Sequence, residues 1–255
     1  MLLARHTRWY AVALGLVVTC ALAASACGGG SPFRPQPEYE EEIYLALDGS
    51  ATINVNASIA SLAALRGFDL RVNPHERVDR EDVRRLFEGP GATVTSVSLA
   101  RRHSRRFVHV AIDVDDVRKL SALAPFAWSR YRFQSRGDIV EFEQHVGESA
   151  ARDVGDVGWD GSEVVSFRMH IPSEIVFHNT IGVQRGNILE WDQPLAARLQ
   201  GEAVDVQVNM EPRSILYSTL LLFGGTVVAV AMTFALVIWL IVRKGRAAGA
   251  AQPHP

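Results

Sequence analysis

Four guanidinium groups and an imidazole fall within the six residues Arg101-Arg102-His103-Ser104-Arg105-Arg106. A guanidinium presents a planar fork of donors that matches the oxygens of a carboxylate or a phosphate. In an otherwise acidic stretch of chain, this is the sharpest local anomaly. Two chemistries fit it. Arg101, Arg102, Arg105 and Arg106 could all project toward one surface and meet anionic lipid headgroups or an acidic cell-wall polymer. Each basic side chain near an anionic membrane then contributes about 1 kcal/mol. Alternatively, the charges pair within the fold with Asp113, Asp115 or Asp116.

The second chemical candidate is Cys27. Arg5 and Arg8 precede an apolar stretch from Trp9 to Leu22, and Ala23, Ala24, Ser25 and Ala26 follow. This is the layout of an export signal, residues 1–26. Ala24-Ser25-Ala26 fits ordinary signal cleavage and also resembles a lipobox ending at Cys27. Lipidation of Cys27 is the favoured route, because an exposed thiol is a liability in an oxidising compartment. Gly28-Gly29-Gly30-Ser31 behind it would make a flexible tether. An uncleaved signal anchor is the third possibility. The only other cysteine, Cys20, lies inside the apolar run, so no internal disulfide is expected.

Other reactive residue types do not assemble into a recognisable site. His75, His103, His109, His145, His170 and His178 show no metal-ligand spacing, although alternation could bring His109, His145 and His170 to one sheet face. Asp153, Asp156 and Asp160 punctuate a glycine-rich stretch that lacks EF-hand spacing and reads as a solvated loop. There is no nucleophile elbow, no zincin helix and no phosphate-binding glycine loop. The expectation is a protein that is not an enzyme, with no cofactor and no metal.

Around these residues the chain alternates strand-like and helix-like segments. Ile53, Val55 and Ala57 keep a period of two within Ile43–Ser58, and Ala60–Arg66 reads as a short helix ended by Gly67. Asp79 caps a helix through Phe87, which Gly89-Pro90 stops. The basic cluster sits at the tip of the clearest hairpin, 92–102 and 105–114, and Asp115-Asp116 open another short helix to Leu123. A second hairpin joins 128–134 to 139–146, with Trp128, Tyr131 or Phe133, Ile139 and Phe142 inward. Residues 153–161 form a long loop. Strands follow at 163–171, 174–177, 187–191 and 203–210. The fold class is α+β, mainly antiparallel sheet with a few short helices, plus one C-terminal transmembrane helix.

From Ile215 to Val242 there are 28 residues without a charge, enough to cross a hydrocarbon core of about 30 Å at about 1.5 Å per residue. Arg243, Lys244 and Arg246 place the following end in the cytoplasm. The globular part then lies on the outer side of the cytoplasmic membrane. Gly225, Ala229 and Thr233 recur every fourth residue on one helix face, a spacing that permits close helix pairing. The expected organisation is a signal peptide 1–26, a tether and Pro/Glu-rich stalk 27–42, an outer domain 43–212, a spanning helix 215–242 and a short tail 243–255. All 28 acidic residues but only 21 of the 26 basic ones fall within 28–214, since Arg5, Arg8, Arg243, Lys244 and Arg246 lie outside, giving a formal charge of −7 there. That disfavours nucleic acid as a partner.

The order of features resembles the LppM-type actinobacterial lipoproteins. It comprises a lipobox-like Cys27, a strand-rich domain, a segment from Ile171 to Asn179 (IPSEIVFHN), then Gly186-Asn187-Ile188-Leu189-Glu190-Trp191, and a terminal spanning helix. Residues 148–162 depart from that pattern. The resemblance implies an envelope-facing α+β domain that contacts lipid or glycolipid, without catalytic residues. Two alternatives stand beside it: an accessory or regulatory subunit of a membrane complex, and an envelope hydrolase.

Overall fold

The structure, a computed structural model, describes residues 37–249 apart from 74, 103 and 182–185. The signal peptide, Cys20, Cys27, the tether as far as residue 36, His103 and residues 250–255 lie outside the described residues.

Ten strands form two sheets. They are β1 Tyr39–Leu45, β2 Ala51–Ser58, β3 Ala92–Arg102, β4 Arg105–Val114, β5 Ser129–Arg136, β6 Ile139–Val146, β7 Val164–His170, β8 Ser173–His178, β9 Ile188–Pro194 and β10 Val204–Ser214. The first sheet runs β3-β4-β2-β1-β7-β9 and the second β5-β6-β10-β8. β1 and β7 are parallel, with Tyr39 beside Val165, and the other paired strands are antiparallel. The fold class is therefore the α+β class expected.

Alternation decides which side of each strand is buried. On β2, Ile53, Val55 and Ala57 are buried while Asn54 and Asn56 face out; on β6, Val140, Phe142 and Val146 are buried. These side chains and their counterparts on β1, β4, β7 and β10 belong to one core. Each fully buried Val or Ile there contributes about 1.5–3 kcal/mol relative to exposure.

Among the described residues there are four α-helices: α1 Ile59–Arg66, α2 Arg80–Phe87, α3 Leu195–Leu199 and α4 Ile215–Gly249. Ser58 caps α1 by accepting from the Ser61 N–H at 2.9 Å. Gly67 ends it in the left-handed region at φ 69°, its N–H bonded to the Ala63 carbonyl. Ile59 through Leu65 are all buried, as befits a helix apolar all round. α2 is capped by Asp79 and buries Val83 and Phe87, one turn apart. Its Phe87 meets Phe126 edge-on at 6.3 Å, beside the 3₁₀ turns 117–122 and 124–126. In α4, Thr219–Trp239 is exposed, has a mean hydropathy of 2.4, and is long and apolar enough to cross a membrane.

Several sequence expectations need correction. Residues 39–42, read as the end of the stalk, begin the central strand β1: Tyr39 and Glu41 occupy its buried face, and the glutamates beside them are polar positions of an amphipathic strand. The segment 43–58 is two strands around the turn at Asp48, where Ser50 N–H and Oγ bond the carboxylate. Ile139 is half-exposed, because Val140 and Phe142 share the inward parity and Ile139 does not. The helix that holds the apolar stretch runs on to Gly249, which leaves the expected span 215–242 as it was.

Candidate functional site

The β3–β4 hairpin carries the basic cluster, and its register decides where each guanidinium goes. Arg101 pairs with Arg106 and Arg102 with Arg105. Directly paired residues share a sheet face, so the cluster divides two and two. This corrects the expectation that all four arginines project toward one surface.

Arg105, on the outer face of the first sheet, meets acidic partners. Its Nε lies 2.8 Å from Glu38 Oε1, and one terminal nitrogen lies 3.4 Å from Glu163 Oε1 and donates to the Gly158 carbonyl at 2.6 Å. Glu38 is 2% exposed and also accepts from the Trp159 indole N–H at 3.3 Å. Burial pushes the Glu38 carboxyl above its ordinary value, with the Arg105 charge opposing. The counter-ions expected at Asp113, Asp115 or Asp116 are thus Glu38 and Glu163 instead for Arg105. Arg106 is 9% exposed and donates to the backbone carbonyls of Glu76, at 2.6 Å, and Arg71. Desolvation lowers its pKa, and the Glu76 carboxylate opposes this. Arg102 lies over the Phe107 ring, 3.8 Å from its centroid, and Arg101 is exposed.

Arg105 and Arg106, adjacent at the hairpin tip and on opposite faces of it, both border a cavity of about 300 Å³. One wall is Ile59 and Ala60 at the start of α1, the second is Val72 and Asn73, and the third is Val154, Asp156, Val157 and Gly158. The hairpin tip, Ser104 to Arg106, closes the fourth side. Arg106 holds the 67–79 segment against the hairpin, and Arg105 does the same for 156–163. The cavity therefore joins apolar side chains, Ile59, Ala60, Val72, Val154 and Val157, to polar ones, Asn73, Asp156 and the two arginines, a mixture suited to an amphiphilic group.

Two further polar assemblies lie elsewhere. Between the sheets, Glu41 is 1% exposed and accepts from Tyr131 Oη at 3.0 Å, Gln144 Nε2 at 2.9 Å and Tyr39 Oη at 3.2 Å. Burial pushes its carboxyl above the ordinary glutamate value against those hydrogen bonds, and raises both tyrosines. Beside it, Trp128 lies between the guanidiniums of Arg66 and the fully buried Arg198, at 4.4 and 4.9 Å. On the outer face of the first sheet, Arg168 reaches Glu40 and Glu190 at 3.1 Å and Glu42 at 3.6 Å. His170 Nε2 meets Glu42 at 2.8 Å while its ring stacks on Tyr44 at 3.9 Å.

The histidines do not converge. His109 bonds Asn56 at 2.6 Å and His170 bonds Glu42, both on the first sheet, whereas His145 bonds Asp205 at 2.6 Å on the second. His109, lowered first by burial and then by Arg102, faces Asn56 and is no member of a ligand set. Among the described residues no group of His, Cys, Asp and Glu is placed to hold a metal ion.

Glu38, Glu41, Trp159 and Glu163 are the site and core residues that sequence reasoning missed. A signal existed for Glu41: Tyr39, Glu41, Ile43 and Leu45 keep a strict period of two, with Glu41 in an apolar slot. None existed for Glu163, whose partner lies 58 residues away.

No family model matches this chain, and no curated protein does. Among solved structures, the folded domain of Mycobacterium tuberculosis LppM, determined by NMR, is similar with a TM-score of 0.40. The identity is 13%, over 72% of this chain and 95% of that one. This is a likeness of fold at most, and it assigns no role to any residue.

Proposed function

We propose that this chain is a membrane-anchored envelope protein whose α+β domain, on the outer side of the cytoplasmic membrane, binds an amphiphile such as a lipid or glycolipid. It acts without catalysis. The observation that carries the reading is the cavity of about 300 Å³ between α1 and the β3–β4 tip, which joins apolar side chains to Asn73, Asp156, Arg105 and Arg106. The apolar helix Thr219–Trp239 supports a bilayer as the domain's permanent neighbour, with lipidated Cys27 as a second anchor. Arg101 and Arg102, on opposite faces of the hairpin, supply outward charge toward anionic headgroups. The negative charge of 28–214 disfavours nucleic acid as partner.

The test is native mass spectrometry of the full chain, purified gently from its membrane and released from detergent in the spectrometer. A lipid-sized adduct that denaturation removes, and that Ala60→Trp abolishes by filling the cavity, is the expected result. A clean protein mass overturns the amphiphile reading. A stoichiometric second protein in the same spectrum would put the accessory-subunit reading in its place.

A further inference from the structure

Two walls of the cavity are loop, the one at Val72 and Asn73 and the one within 153–162, and the second is the more sparsely held. Residues 153–162 carry neither strand nor helix, and most of them are exposed. Gly155, Gly158 and Gly161 all take positive φ, 68°, 75° and 90°, and a Cβ at any of them would meet nothing within 4 Å. The backbone is thus free of packing at three evenly spaced points. Asp153, Asp156 and Asp160 each accept the N–H two residues on, which shapes the segment locally without tying it to the domain.

Its two ends, by contrast, are secured. At the near end, Ala150 N–H bonds the Leu65 carbonyl, Arg152 N–H bonds the Ala64 carbonyl, and the Arg152 guanidinium reaches Phe68 O and Asp69. At the far end, Glu163 O accepts from Leu195 N–H, and β7 begins. Between them, among the described residues, the Arg105 guanidinium donates to Gly158 O, the Trp159 indole to Glu38, and the Asp160 and Gly161 N–H groups to the Glu163 carboxylate, while the Trp159 ring packs against the core. These hydrogen bonds all end on Arg105 or on the two carboxylates it contacts, Glu38 and Glu163. Local opening is easiest where few contacts must break together, and here the polar ones gather at one ion cluster.

We propose that residues 153–162 are a hinged wall of the cavity, latched shut by Arg105, and that a ligand enters the cavity when this latch releases. The inference rests on the ligand-binding reading above for its purpose but not for its test, which needs no ligand. A site whose competent state is a minor population binds more weakly by that fraction, so the latch sets apparent affinity as well as access.

The experiment is hydrogen–deuterium exchange of the full chain in nanodiscs, comparing wild type with Arg105→Gln and Trp159→Phe. Arg105→Gln removes the ion cluster's cation; Trp159→Phe removes the indole N–H and part of the ring that packs on the core. The expected result is amide exchange in 153–162 faster by about tenfold or more in Arg105→Gln, with a smaller increase in Trp159→Phe, while β2 and β4 keep their protection. Unchanged exchange in 153–162 in both variants overturns the latch. If Arg105→Gln loosens the whole domain, Trp159→Phe decides: an increase confined to 153–162 supports the latch, and none overturns it. Arg130→Gln, a charge change on β5, is the control and leaves the segment's exchange unchanged. A clean native mass with fast exchange in Arg105→Gln would remove the ligand reading and keep the hinge; an adduct with unchanged exchange would do the reverse.

Discussion

Replacing Glu41 by Gln and by Leu separates its charge from its role as acceptor. Tyr39, Tyr131 and Gln144 all donate to this carboxylate. Leu accepts from none of them, and a buried donor left without an acceptor costs about 1–3 kcal/mol. Tyr131 and Gln144 keep a contact with each other at 3.3 Å, so the loss is less than threefold that amount. About 3 kcal/mol is the working figure. At about 2–4 °C per kcal/mol for a domain of this size, Glu41→Leu lowers Tm by roughly 6–12 °C in acid. Gln keeps one oxygen where Tyr131 and Gln144 donate, and places an amide where the Tyr39 hydroxyl can turn to accept. Its cost in acid is near zero.

The pH dependence fixes the sign. Burial raises the folded pKa of Glu41, so its favourable contribution is complete below the unfolded pKa and is lost as pH rises through the folded value. Above that value the core holds a desolvated carboxylate. Wild type should therefore lose stability between mildly acid and neutral pH by a component that Glu41→Gln lacks, and the deficit of Glu41→Leu should shrink over the same interval. Thermal unfolding followed by intrinsic fluorescence from pH 4.5 to 8 measures all three. If Glu41→Gln is as damaged as Glu41→Leu at pH 7, or the gap between wild type and Glu41→Gln stays constant with pH, the reasoning is refuted. The charge would then be required there, held by Arg66.

On the opposite face of the same strand the sign reverses. Burial pushes Glu42 up, but hydrogen bonds from His170 and Asn54 outweigh it and hold the carboxyl below its ordinary value, so Glu42 stabilises above the unfolded pKa and less as pH falls through the folded one; in Glu42→Gln the acid limb of a stability profile flattens. Trp128→Ala removes the ring that both Arg66 and Arg198 contact and should cost about 3–5 kcal/mol. Trp128→Phe keeps an aromatic face, and the lost indole N–H has no hydrogen-bond partner to forfeit, so its Tm falls far less. Gly67→Ala forces a Cβ into the left-handed region 3.1 Å from Ala150 Cβ; a loss of about 1–2 kcal/mol in chemical unfolding is expected. Arg101→Gln should weaken sedimentation with anionic liposomes, and Arg106→Gln should lower Tm because two backbone carbonyls lose their donor.

The elements were legible where local rules act alone. Gly67 ends α1, Asp79 starts α2, and alternation marks β2 and β6, all of which a window of ten residues contains. What stayed hidden depends on register across distance. That Arg101 and Arg105 end on opposite faces follows from the pairing Arg102↔Arg105, which a one-residue slip would reverse. That Glu38 is a buried counter-ion and not part of a solvated stalk follows from β1 lying between β2 and β7, the latter more than a hundred residues on. Glu-rich composition points to solvent, and only the neighbours supplied by those strands override it.

Topology also accounts for the stretch 148–162 that has no counterpart in the sequence pattern. β6 belongs to the second sheet, and β7 must be delivered to the first, parallel to β1 and starting beside Tyr39. The start of β1, the end of β2 at Ser58 and the start of β4 at Arg105 lie at that same end of the sheet. A chain leaving β6 therefore has to travel between sheets, and it runs antiparallel along α1, past Leu65 and Ala64 first and Ile59 and Ala60 later. A structureless connection of this length is uncommon in a compact domain unless it has work to do. Here it spans the open side between α1 and the hairpin tip, and the crossover that the sheet order demands becomes a wall of the cavity. The fold thus places this sparsely bonded crossover beside the cavity, with Arg105 touching both Gly158 and Glu163.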